Sequence, residues 1–158
     1  HLEFAKFILK FHCKNVFEIG GGHGVLAKKY IKLQENCHWT ILEANPSMEY
    51  ESEQISVQKG LFDSSTELDP NVDTVVHSHL FEHIYDPLEF VQKIYHSLPL
   101  GGYTIFSVPF LSQQIKEKIT YCLGFEHTLY LSDEYIEYLL KISGFEIVRK
   151  EVFNKNHT

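Results

Sequence analysis

The chain has 158 residues, 44% hydrophobic and 22% charged, enough apolar mass for one core, since two would need roughly 200 to 400 residues. Its net charge of −7, with Arg149 as the sole arginine, argues against nucleic-acid binding through a basic surface, because phosphate affinity rests on clustered Lys and Arg. No apolar run approaches the roughly 18 residues of a membrane span, and Cys13, Cys37 and Cys122 are too scattered for a disulfide framework or a cysteine zinc site.

Apolar strand-like runs alternate with helix-like stretches, which predicts an α/β fold around a mostly parallel sheet. Residues 2–12 carry apolar positions at helical spacing and form a leading helix in which Phe4, Phe7 and Phe11 face the core. Val16–Ile19 reads as the first strand, residues 20–24 as a glycine turn and Val25–Leu33 as a helix. Trp39–Leu42, Ile55–Gln58 and Asp73–His77 read as the second, third and fourth strands. Asp86 before Pro87 is an N-cap followed by proline at the first helical position, opening a helix that stops before Pro99 and Gly101-Gly102. Tyr103–Val108 is the fifth strand; residues 112–125 form either a lid or a connecting helix. Ser132 caps a last helix with Asp133 and Glu134 in its first turn, Gly144 stops it, and Phe145–Phe153 reads as a sixth strand. Free thiols fit a reducing, cytoplasmic compartment. No signal peptide is visible, and a chain beginning His1-Leu2-Glu3 reads as a piece of a longer protein.

The glycine turn, Glu18-Ile19-Gly20-Gly21-Gly22-His23-Gly24, carries the chemistry. Glycines allow a tight turn and close approach of a ligand to the backbone, and the helix start beyond presents amides to a carboxylate or phosphate. Glu43 ends the second strand, where an acid can accept both hydroxyls of a ribose. A dinucleotide-dependent oxidoreductase would want G-x-G-x-x-G, but Val25 stands where its third glycine belongs.

The E-x-G-x-G-x-G form resembles motif I of the class I S-adenosylmethionine-dependent methyltransferases, and later segments extend the likeness: Ile41–Pro46, Asp73–Pro87, His96–Pro109 and His127–Val148. The resemblance implies a Rossmann-like, doubly wound sheet with helices on both faces. It also implies a single methyltransferase domain over 1–158, cut short at one or both ends, with the seventh strand outside the chain. S-adenosylmethionine is the implied cofactor and a small molecule the acceptor at O, N or a sugar carbon, with no nucleic-acid or membrane partner. An open sixth strand would be an edge for homodimer formation.

By the same resemblance, Glu18 steadies the glycine loop and approaches the cofactor's amino group, and Gly20, Gly21, Gly22 and Gly24 take its methionine portion against bare backbone. Glu43, with Ala44 beside it, holds the ribose; Leu61 and Phe62 flank the adenine; Ser78 and His79 line the methionine end. Leu61 replaces an acid common in the family, which leaves backbone groups or Asp63 to read the adenine. Candidate bases are His83, His127 and Glu126, the last two resembling the Glu-His pair of sugar C-methyltransferases, although Gly124-Phe125 replaces the tyrosine-histidine half of that string. Glu82 is expected to brace a loop. No metal is expected, and His12, His38, His77, His96 and His157 have no ligand spacing. A binding module that keeps the fold without catalysis is the remaining alternative.

Overall fold

The computed structural model describes residues 1–46, 51–118 and 127–153. In chain order the helices are α1 (Leu2–Leu9), α2 (Val25–Ile31), α3 (Pro87–Ser97), α4 (Leu111–Lys116) and α5 (Asp133–Ile142). The strands are β1 (Asn15–Ile19), β2 (His38–Glu43), β3 (Ile55–Lys59), β4 (Thr74–Ser78) and β5 (Tyr103–Ser107). Among the described residues they make one five-stranded sheet, parallel throughout, in the order β3-β2-β1-β4-β5. The chain builds outward from β1 to β3, then returns to place β4 on the other side of β1. This is the reversal of a doubly wound, Rossmann-like sheet, with its ligand crevice at the carboxyl ends of β1 and β4.

The described chain divides into two compact units. The first, His1–Ser78 with His96–Ser107, holds the whole sheet. Its central strands β1, β2 and β4 are near-continuously buried, the pattern of parallel strands covered on both faces (Val16, Phe17, Ile19, Ile41, Leu42, Val75, Val76), whereas β3 and β5 bury one residue each. Phe4, Ala5, Phe7 and Ile8 form the buried stripe of α1, which packs against α2. Tyr30 of α2 lies against Trp39 of β2, ring centroids 5.1 Å apart, and donates its hydroxyl to the Cys13 carbonyl at 3.1 Å. Cys13 and Cys37 are buried free thiols whose pKa values burial raises, that of Cys37 to about 12; thiols so held are packing groups rather than nucleophiles. Cys122 lies outside the described residues.

The second unit, His79–Tyr95 with Val108–Thr158, contains a 3-10 turn at Phe81–His83, most of α3, and α4 and α5. Asp86 caps α3 as expected, its Oδ1 accepting from the Glu89 amide at 2.9 Å. Ser132 does the same for α5, accepting from the Tyr135 amide at 3.2 Å. Gly144 ends α5 at φ +98°, while the Phe145 amide reaches back to the Leu140 carbonyl at 2.9 Å and the Gly144 amide to Lys141 at 3.2 Å. That 6→1, 5→2 pair is the Schellman stop. A Cβ on Gly144 would sit 2.7 Å from the Tyr95 ring, which Phe145 meets edge-on.

The sixth strand is a correction. Phe145–Phe153 joins no ladder. The Schellman turn redirects the chain, and Lys150 is drawn to Asp133 and Glu137 of α5 at 3.1 and 2.8 Å. The homodimer edge expected there is not formed, and the sheet's edges are β3 and β5. The segment 112–125 begins as the short helix α4, and residues 119–126 lie outside the described chain.

Asp73 closes the amino end of the sheet. Its Oδ2 accepts from the Lys14 and Asn15 amides, both at 3.0 Å, and its Oδ1 from Thr74 Oγ1 at 2.7 Å. One carboxylate thereby joins the entry of β1 to that of β4. Asp73→Ala is expected to destabilise the protein by about 2 kcal/mol, the scale of losing a charged acceptor at partly wet donors. This is read as a lower urea midpoint with an unchanged m value; a loss under about 0.5 kcal/mol would contradict the role.

Candidate functional site

The carboxyl ends of β1 and β2 lie side by side, paired from Asn15–His38 to Ile19–Leu42. The Gly20 amide extends the ladder one step to the Leu42 carbonyl at 2.8 Å. The chain then turns through glycines with positive φ, at 70° for Gly20, 51° for Gly22 and 60° for Gly24. Two of the glycines show what the loop requires. A Cβ on Gly21 would stand 2.6 Å from Ile41 Cγ2 and 3.0 Å from the Glu18 carboxyl, so the loop lies directly on β1 and β2. A Cβ on Gly22 would meet nothing within 4 Å, so there the main chain faces open space.

Glu43, the last residue of β2, clasps this loop. Its Oε2 accepts from the Gly22 amide at 2.9 Å and its Oε1 from the Asn45 amide at 3.1 Å. A carboxylate offers about four lone-pair sites, so acceptor capacity remains at this half-buried group. Ala44 lies exposed on the bend that Asn45 closes.

Beneath the loop lies Glu18, only 2% exposed, accepting from Trp39 Nε1 at 2.7 Å. Burial pushes its pKa up to about 7; the Trp39 hydrogen bond opposes this, and the nearby Glu43 charge adds to it. Its carboxylate is therefore enclosed below the glycines.

The loop after β3 carries Leu61, 70% exposed, and the half-buried Phe62. Asp63 Oδ1 accepts from the Ser65 amide and hydroxyl at 2.9 and 2.6 Å, which ties Asp63 into its own turn. Ser78 ends β4, its hydroxyl 2.8 Å from that of Ser107 at the end of β5. His77, just before it, is buried and stacked on Phe106 with centroids 4.9 Å apart, and burial pushes its pKa down to about 3, so it is neutral.

The second unit gathers a different set. His79, at φ +49°, has Nδ1 3.4 Å from Glu82 Oε1. His83 and His127 meet edge-on with ring centroids 5.1 Å apart. Glu126 lies outside the described residues. Sequence reasoning singled out neither Trp39 as the partner of Glu18 nor Glu82 as a neighbour of both histidines. The one available signal for the first was an acid set among the apolar residues of a strand buried on both faces.

The family described as "Methyltransferase domain" matches residues 3–150. The chain belongs to this family. Solved structures share the methyltransferase domain's fold. A chain of the complex between the Haloferax volcanii Trm112 methyltransferase activator and a methyltransferase is 22% identical at a TM-score of 0.64, over 83% of this chain and 61% of that one. The YcgJ protein of Bacillus subtilis is 15% identical at 0.72, over 90% and 68%. Human N-acetylserotonin methyltransferase, solved with S-adenosylmethionine, is 21% identical at 0.66, over 85% and 42%. The domain thus spans less than two thirds of the Haloferax and human chains. No curated protein matches it. Among the described residues no helix is long and apolar enough to cross a membrane.

The raised pKa of Glu18 makes a signed prediction. The folded domain holds this proton up to about pH 7, whereas the unfolded chain releases it near the ordinary 4.5. Between those values the native state binds more protons, so stability falls as pH rises. Relative to Glu18→Gln, the wild type should lose about 3 kcal/mol between pH 4.5 and a pH above 7, measured by urea denaturation of both proteins across that range. Parallel pH profiles would contradict it.

Proposed function

We propose that this methyltransferase domain binds S-adenosylmethionine over the glycine loop and transfers its methyl group to a small-molecule acceptor at O, N or a sugar carbon. One observation carries the reading: in a chain of this family, the open main chain at Gly22 is held by a carboxylate, Glu43, that still has acceptor capacity at the end of β2. Donor and acceptor chemistry fit the cofactor. A ribose offers two hydroxyl donors to Glu43, and the bare backbone of Gly20–Gly22 admits a chain of methionine dimensions where a side chain would intrude. Leu61 and Phe62 supply apolar surface for an adenine, and Ser78 supplies a hydroxyl at the end of β4.

When bound, the cofactor supplies an electrophilic methyl carbon on a sulfonium, which passes to the acceptor's lone pair as the carbon–sulfur bond breaks and a neutral thioether leaves. The chain's own part is alignment, and holding reactants in line can supply roughly 7 to 11 kcal/mol of the barrier. Glu18 acts as a positioning residue: enclosed with Trp39, it sets the floor on which Gly21 rests. His83 and His127, with Glu126, are the residues that would take the acceptor's proton in the metal-free chain, a contribution of typically ~100- to 10,000-fold.

Calorimetry with S-adenosylhomocysteine tests the cofactor site. The wild type should bind it and fail to bind a nicotinamide dinucleotide, and Glu43→Ala should weaken binding about 10- to 100-fold, the scale of one or two hydrogen bonds to a charged acceptor. Isotopic label from S-adenosylmethionine should appear in a small molecule of a crude metabolite extract. Binding of the dinucleotide in place of S-adenosylhomocysteine would overturn the reading.

A further inference from the structure

We propose that Glu82, His83 and His127 form a binding site for a divalent transition-metal cation, with zinc the best match. One ligand atom from each residue lies within 4.8 Å of the other two. A closed tetrahedral zinc site, with bonds of ~2.0–2.2 Å, holds its ligand atoms ~3.4 Å apart, so binding the ion would draw the three side chains together.

A second observation points to a cation independently of that spacing. Glu82 is 3% exposed, and its Oε2 is buried with no hydrogen-bond partner. A buried carboxylate oxygen left so is costly, and a bound cation is one of the few groups that offsets it. The other oxygen, Oε1, lies 3.4 Å from His79 Nδ1, so an imidazole already engages the carboxylate through that oxygen.

The cluster is also held in place before any ion arrives. The Glu82 carbonyl accepts from the Thr128 and Leu129 amides at 2.9 and 3.1 Å and from Thr128 Oγ1 at 3.2 Å. Thr128 Oγ1 further approaches the Ile84 carbonyl at 3.0 Å. These bonds clamp the segment after His127 onto the turn that carries Glu82 and His83, so two stretches distant in sequence present ligands to one point. Beside them a narrow cleft of about 10 Å³, roughly the room of one water, opens to solvent, lined by Glu82, Gln114, His127 and Tyr130 among others. Three protein ligands with an open fourth position are the arrangement of an exchangeable rather than a purely structural zinc.

The donor set selects the ion. Two imidazoles and one carboxylate suit zinc and its first-row neighbours, whereas magnesium and calcium prefer all-oxygen shells. With the cation bound, the imidazole lone pairs are engaged, and a water takes the open position. The site shares His83 and His127 with the proton-accepting role proposed above, but it rests on the geometry of the cluster and not on that role.

The full chain, stripped of metal by chelator dialysis, is titrated with zinc by calorimetry and with cobalt(II) by visible absorption. One ion per chain should bind at micromolar affinity or tighter, unmoved by excess magnesium, with the intense d–d bands of a tetrahedral cobalt site. His127→Ala and His83→Ala should each weaken binding at least 30-fold and abolish those bands, while His96→Ala, outside the cluster, changes neither. Glu82→Gln should weaken binding similarly; because Glu82 is buried, far-ultraviolet circular dichroism checks that variant's fold, and the histidine variants decide the question without it. Zinc affinity unchanged in both histidine variants, or no more than a shared weak uptake in wild type and double variant alike, would overturn the site. S-adenosylhomocysteine titrated into the same samples reads the cofactor site separately.

Discussion

One carboxylate, Glu43, controls the geometry of the glycine loop. The loop takes left-handed backbone at Gly20, Gly22 and Gly24 and has one internal hydrogen bond, from the Gly24 amide to the Gly21 carbonyl at 2.9 Å. It keeps its shape because β1 and β2 pair in parallel to their last residues and Glu43 then reaches across to the Gly22 amide. The clasp works only if β2 ends where it does: one residue earlier or later and the side chain at that point would face the other side of the sheet. Hence the register from Asn15–His38 to Ile19–Leu42 and the Asp73 anchor at the opposite end matter to the site although they are far from it.

Beneath the clasp lies a second acid in an opposing circumstance. Glu43 keeps access to water; Glu18 is enclosed, meets Trp39 Nε1 and carries a pKa near 7. Two carboxylates near the ends of adjacent strands thus sit in different surroundings, the partly exposed one able to receive hydroxyl donors, the enclosed one with its pKa raised by burial and holding up the loop. His77, in the neighbouring strand, is kept neutral by the same means, through burial and stacking on Phe106. The sheet's carboxyl edge therefore has a dry interior behind it and its accessible acid at the surface, an arrangement suited to a polar ligand gripped by main chain.

Local signals in the sequence located most elements. Asp86-Pro87, Ser132 and Gly144 mark helix ends that the structure places at the expected residues, because capping is chemistry within a few residues of the cap. The family resemblance was legible for a related reason, since the glycine spacing and the strand-end acid are short-range features. Phe145–Phe153 misled through the same logic: Ile147, Val148 and Val152 have strand-like character but stand exposed, and whether such a run pairs depends on where the preceding turn aims it. The Glu18–Trp39 contact needed the β1–β2 register, which no single segment encodes. Glu82 and His127 needed the Thr128 hydrogen bonds, formed between stretches far apart in the chain, so the histidines could be singled out as reactive types but not as neighbours of a buried acid.

Backbone amide resonances give the most direct test of the loop-and-clasp account. Titration of the nitrogen-15-labelled chain with S-adenosylhomocysteine should move the amides of Gly20, Gly21, Gly22, Gly24 and Asn45 first and furthest, at concentrations where the rest of the sheet is still. Large shifts confined to other parts of the chain, with these five unmoved at saturation, would contradict it.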